Sequence, residues 1–167
     1  MKTPGFWQDK NLVSDLLLPF GIIYNLVTRL NILFSKPRKT DRPVICIGNL
    51  TAGGTGKTPV AVSLAAILQK LGRKPFFVSR GYGGTLKNVI VDPQKHSAAE
   101  VGDEPLLLSR QAPVVVNPDR YAAAQKAVTA GADIILMDDG FQNPGLHKDL
   151  SFLVFDGGFG YGNRIGC

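Results

Sequence analysis

An α/β fold, a mostly parallel sheet flanked by helices, is what this sequence predicts, and three observations carry the prediction. Short β-branched apolar runs alternate with stretches of helical spacing from Pro43 onward. A glycine-rich turn joins the first run to the first helical stretch. A later run ends in paired carboxylates, Asp138 and Asp139. With 167 residues there is room for one such domain and a short appendage, and 44% hydrophobic with 8% aromatic residues is a globular composition.

The appendage is residues 1–42, with the domain over residues 43–167. From Leu12 to Phe34 the chain reads LVSDLLLPFGIIYNLVTRLNILF. At helical spacing Leu16, Phe20, Ile23, Leu26, Val27, Leu30 and Phe34 share one side, while Asp15, Asn25 and Arg29 fall off it. That predicts an amphipathic helix, bent near Pro19 and Gly21, and too often interrupted to span a bilayer. Lys36, Arg38, Lys39 and Arg42 follow, and residues 1–42 carry seven Lys/Arg against three Asp, which is +4 of the chain's net +6. A basic cluster beside an interfacial helix suits an anionic membrane surface. Packing of the same helix on a domain, with the charges in a solvated linker, is the competing reading. The basic residues lack interleaved aromatics, so no nucleic-acid partner is expected. The two cysteines, Cys46 and Cys167, form neither a disulfide framework nor a metal-ligand spacing.

Pro43 to Gly48, PVICIG, reads as a strand entering a turn. Lys57 to Leu71 reads as a helix with a stripe of Val60, Leu64, Ile67, Leu68 and Leu71, closed by Gly72. Between them lies Thr51-Ala52-Gly53-Gly54-Thr55-Gly56-Lys57-Thr58, a P-loop in its required context of strand, glycine turn and helix. Its glycines let backbone N–H groups turn toward phosphate oxygens, and the helix N-terminus adds partial positive charge. Lys57 is placed to reach the β- and γ-phosphates and the Thr58 hydroxyl to ligate Mg²⁺. Thr51 stands where the template has glycine, a substitution compatible with negative φ. The fold is therefore expected to be P-loop NTPase-like, with ATP and Mg²⁺ as ligands.

Ala132 to Asp139, ADIILMDD, reads as a buried strand delivering metal-side carboxylates, Asp138 and Asp139, at its C-terminal edge. Further strands are expected at Pro75–Ser79, Pro113–Val116 and Ser151–Phe155, with helices at Glu104–Arg110 and Arg120–Ala130. Arg80 and Arg120 are candidates for holding anionic oxygens, or for surface salt bridges. His96 and His147 fit no ligand or triad spacing.

In order along the chain, Val44–Pro59, S-R-G-Y-G-G at Ser79–Gly84, V-G-D-E-P at Val101–Pro105, M-D-D-G-F-Q-N at Met137–Asn143 and H-K-D-L at His147–Leu150 resemble the tetraacyldisaccharide 4'-kinase family, the lipid A 4'-kinases of Gram-negative bacteria. The resemblance implies transfer of the ATP γ-phosphate to the 4'-hydroxyl of a lipid A disaccharide precursor. It implies Mg²⁺ dependence and action at the cytoplasmic face of the inner membrane, with the amphipathic helix on the membrane. It also implies that Asp103 activates the sugar hydroxyl. From the residues alone G-D-E-P reads instead as a turn starting a helix.

Two departures stand out. The family pattern continues through a second half that completes the acceptor site, and its Pro-Ala-Gly-Pro-Leu-Arg segment is replaced here by Arg164-Ile165-Gly166-Cys167. The expectation is a nucleotide-binding chain whose 4'-kinase activity is insufficient without that half, and whose uncovered apolar surface lowers solubility. The alternatives are a non-catalytic nucleotide-binding remnant and another P-loop ATPase. Ala52 occupies the position of the signature lysine of the partitioning ATPases, which counts against the latter.

Overall fold

The structure is a computed structural model, and it describes residues 36–48, 56–138, 140–141 and 143–154. These lie in one compact unit, Lys36–Gly160. The amphipathic helix expected over residues 12–34 lies outside the described residues. Among the described residues no helix is long and apolar enough to cross a membrane.

Among the described residues six strands form one sheet: β1 (Val44–Gly48), β2 (Pro75–Ser79), β3 (Val89–Ile90), β4 (Val114–Val116), β5 (Ile134–Asp138) and β6 (Leu150–Leu153), in the order β3-β4-β2-β5-β1-β6. All pairings are parallel except β3 with β4. The helices are α1 (Lys57–Lys70), α2 (Ala98–Val101), α3 (Asp103–Leu108) and α4 (Arg120–Thr129).

Period-two alternation divides each central strand between two cores. On one face Cys46, Phe76, Val78, Ile135 and Met137 pack with Ala123, Ala124 and Ala127 of α4 and with Leu146. On the other, Ile47, Phe77 and Leu136 pack with Ala61, Ala65 and Leu68 of α1 and Leu108 of α3. PFFVS is buried throughout because both faces are covered, as an interior parallel strand requires.

The structure corrects the stripe expected for α1 in part: Leu68 is buried as expected and Leu64 is half-buried, but the other three face outward. Ala61, Ala65 and Leu68 face the sheet, while Val60, Ile67 and Leu71 are 39%, 54% and 69% exposed. Small alanines let the helix axis lie close to the strands, and that proximity outweighs the larger area offered by the outward residues. Two elements are additional to the expected set. One is β3, two residues long and preceded by Asn88 at φ 57, a conformation that asparagine tolerates. The other is α2, opened by a capping box between Ser97 and Glu100.

Candidate active site at the carboxyl edge of the sheet

Parallel pairing fixes which residues share the carboxyl edge. Ile47 of β1 pairs with Asp138 of β5, and Val78 of β2 with Met137, so Ser79 falls beside Asp138; Ser79 in turn pairs with Val116. Direct adjacency of β1 and β5 sets the acid strand next to the strand that feeds the glycine loop, about 4.8 Å away in the hydrogen-bonding direction. Asp138 is buried at 3% exposure. Asp139 lies outside the described residues, as do Thr51, Ala52, Gly53, Gly54 and Thr55.

Beyond the loop, Gly56 is the N-cap of α1 at φ 73, ψ 17, and being glycine it supplies no side-chain cap. Val60 N–H donates to the Gly56 carbonyl at 3.3 Å, so the amides of Lys57 and Thr58 lie ahead of the helical ladder, and Pro59 has none. No acidic residue occupies the first turn. This end of a fourteen-residue helix therefore offers donors, a positive dipole and the Lys57 ammonium to an anion. For magnesium, the described residues of this edge bring the Thr58 hydroxyl and the Asp138 carboxylate. Among the described residues no group of three His, Cys, Asp or Glu forms a metal cage. Magnesium held by one or two protein oxygens together with phosphates needs no such cage, so the donor set fits that mode of binding.

Asp103 reaches the same edge by a different route. Gly102, at φ 94 and ψ 152, caps α3, and Asp103 is its exposed first residue. A Cβ on Gly102 would come within 2.7 Å of the Tyr82 carbonyl oxygen, and Leu86 N–H donates to the Glu100 carbonyl at 2.7 Å. The V-G-D-E-P and S-R-G-Y-G-G segments are thus packed together beyond β2, and the cap is glycine rather than the aspartate. Arg80, exposed, lies in that same loop. Arg120 is 7% exposed and so not a surface residue; its Nη1 donates to the Asn117 carbonyl at 3.5 Å.

The basic cluster before β1 is partly committed within the fold. Arg38 Nη2 donates to both carboxylate oxygens of Asp119, at 2.9 and 3.0 Å, and the guanidinium lies 4.2 Å from the centre of the Tyr121 ring. Asp119 also caps α4, accepting from the amides of Tyr121 and Ala122. The Arg38 guanidinium is the main cause that holds the Asp119 carboxyl below the ordinary range. Lys39 pairs with Asp149 at 3.6 Å, while Lys36 and Arg42 are exposed.

H-K-D-L serves the architecture at β6. Asp149 Oδ2 accepts from the amide of Val44 at 2.9 Å, and Lys148 Nζ donates to the Phe141 carbonyl at 3.1 Å. Burial pushes the Lys148 ammonium below the usual lysine range. His96 Nδ1 accepts from the Asp92 amide at 3.0 Å, a turn contact, and His147 lies 3.6 Å from Asp149. Sequence spacing gave no reason to single out Lys148 or Phe141 inside their motifs. Their connection is a tertiary contact between two segments.

Comparison with known proteins adds a common pattern. A family model described as tetraacyldisaccharide-1-P 4'-kinase matches residues 13–166. The tetraacyldisaccharide 4'-kinase of Methylobacterium sp. (strain 4-46) is 50% identical over 169 residues, spanning 99% of this chain and 50% of that protein. That of Gluconacetobacter diazotrophicus is 52% identical over 166 residues, spanning 98% and 50%. The crystal structure of LpxK from Aquifex aeolicus, an "apo" form in complex with ATP, matches with a TM-score of 0.76 at 34% identity, covering 85% of this chain and 49% of that one. The chain spans about half the length of the curated relatives it matches.

Proposed function

Because the chain belongs to the tetraacyldisaccharide 4'-kinase family, we propose that it binds ATP with Mg²⁺ and carries the donor side of phosphoryl transfer to the 4'-hydroxyl of a lipid A disaccharide precursor. The observation that carries this reading is the adjacency of β1 and β5, which puts the loop strand and Asp138 side by side at one edge.

In this reading residues 51–58 surround the phosphates with backbone donors, and Lys57 balances charge at the β- and γ-phosphates. Thr58 and one or both of Asp138 and Asp139 hold magnesium, which when bound neutralises phosphate charge. Asp103 accepts the proton of the sugar 4'-hydroxyl while that oxygen forms its bond to the γ-phosphorus and the bond to the ADP oxygen breaks. Transfer passes through little covalent chemistry on the protein, so positioning and electrostatics supply most of the acceleration. Asp103 is exposed in this chain, which suits a residue meeting an acceptor that arrives from outside the nucleotide pocket.

The acceptor is a lipid, and the proposed place of action is the cytoplasmic face of the bacterial inner membrane. The apolar, amphipathic sequence of residues 12–34 and the exposed Lys36 and Arg42 support it. With the relatives about twice as long, the second half of the acceptor site is proposed to come from further polypeptide.

The deciding experiment titrates the folded chain with a fluorescent ATP analogue and Mg²⁺, then adds the disaccharide precursor. Saturable binding weakened at least about tenfold by Lys57→Ala is expected. A folded chain that binds no Mg·ATP overturns the proposal. Binding without transfer, persisting when the second half of a relative is supplied, favours a non-catalytic nucleotide-binding chain.

A further inference from the structure

We propose that Lys148 is a positioning residue of this site: through the Phe141 carbonyl it holds the turn after β5 against the mouth of β1, where the phosphate loop begins. The inference rests on the kinase reading for its consequence, but the clamp itself is a property of the fold.

The H-K-D-L segment grips β1 at both ends. At the start of the strand, Asp149 N–H donates to the Val44 carbonyl and Asp149 Oδ2 accepts from the Val44 amide, each at 2.9 Å. At the far end the grip is indirect. Lys148 Nζ donates to the carbonyl of Phe141, whose ring is seated on Gly48, the last residue of β1. A Cβ on Gly48 would overlap that ring. Phe141 and Leu146 belong to the same core cluster as Cys46 and Met137, so the ring also packs under the neighbouring strand.

The turn held in this way begins two residues after Asp138. Asn143 N–H donates to the Gly140 carbonyl at 3.1 Å, and Asn143 Oδ1 accepts from Gly145 N–H at 3.0 Å. Phe141 lies three residues after Asp138 in the chain, so slackening at its carbonyl is expected to reach the end of β5 that carries the acid. Drawing an ammonium out of water is costly, and an aliphatic side chain of equal length would fill the same space more cheaply. What lysine adds is the bond to Phe141.

Two measurements on the full 167-residue chain test the inference, with Lys148→Met removing the donor while keeping the stem. By hydrogen exchange, the peptide covering residues 138–143 is expected to exchange faster, with the α4 peptide unchanged. By titration with the fluorescent analogue, the gain in ATP affinity on adding Mg²⁺ should fall by about tenfold, as loss of an outer-shell partner does, while metal-free affinity stays within about twofold. Gly48→Ala, which displaces the ring from the other side, should give the same pattern and replaces Lys148→Met if that variant does not fold. Unchanged exchange overturns the clamp. Faster exchange with an intact magnesium effect overturns the positioning role. If the wild-type chain binds no nucleotide, the kinase reading fails and the positioning role with it, while exchange still decides the clamp.

Discussion

At the scale of single residues, Gly102 shows how a turn can place the residue proposed as the base. Its φ of 94 is one that side chains rarely adopt, and its missing Cβ is what lets the Tyr82 carbonyl approach. Gly102→Ala is therefore expected to cost about 2 kcal/mol or more, combining backbone strain with a clash against main chain that cannot rotate away; urea unfolding measures it, and a cost under about 0.5 kcal/mol refutes the account. The neighbouring Asp103 gives the complementary case, in which chemistry is lost without stability. It is exposed at the first position of α3. Asp103→Asn should leave the urea midpoint and Mg·ATP affinity as they are, and lower phosphoryl transfer by about 10²–10⁴-fold when the acceptor and the second half are supplied. A variant retaining full transfer would remove Asp103 from the base role. Spacing alone did not reveal Asp103, because a G-D-E-P turn has an ordinary structural use. The resemblance to a known pattern brought it forward.

Among the elements, α4 depends most visibly on one side chain. Asp119 caps it through two amides and accepts from Arg38 Nη2 on both carboxylate oxygens, across a sequence separation of 81 residues. Asp119→Ala should cost about 1 kcal/mol at neutral pH, most of it the cap, since an ion pair this exposed adds little. Because Arg38 lowers the folded-state pKa of Asp119, the stabilisation is complete above the unfolded-state value near about 3.9 and disappears as pH falls through the folded value. The gap between wild type and variant should hold from pH 7 to about 5 and narrow below about 4. A gap that widens on acidification contradicts the sign. The elements themselves were largely legible in the sequence, since buried parallel strands such as PFFVS and IILMD read as continuous apolar runs. What did not read correctly was orientation: a larger apolar side chain looks like a core residue, yet α1 turns Ala61 and Ala65 inward. The S-A-A-E spacing that opens α2 as a capping box between Ser97 and Glu100 went unread, although it is a recognisable helix start. The two-residue β3 carries too little pattern to be seen.

At the scale of the whole molecule, that inverted helix face has a consequence for behaviour in solution. Val60, Leu64 and Ile67 of α1 line a groove of about 330 Å³ with Pro59, Ser63 and Phe152 of the edge strand β6. Leu150, Phe152 and Leu153 on that strand are each exposed by more than a third, and all four β6 residues are open to solvent. Among the described residues β6 is the last strand of the sheet and borders an apolar helix face, the combination that natural sheets suppress with charge or cover. The chain is therefore expected to self-associate as its concentration rises, through this face and not through the carboxyl edge. Sedimentation velocity over a hundredfold concentration range measures the association. Placing lysine at the centre of the groove, in the double variant Ile67→Lys with Phe152→Lys, should return the chain to monomer, because pairing the edge would then bury charge. Both positions are exposed by 41% or more, so the thermal midpoint should move little, by the equivalent of about 0.5 kcal/mol per site. Nucleotide affinity should stay unchanged, since neither side chain belongs to the loop, to Thr58 or to Asp138. A wild-type chain that remains monomeric throughout, or a double variant that associates as strongly, would show that the groove is not the adhesive surface.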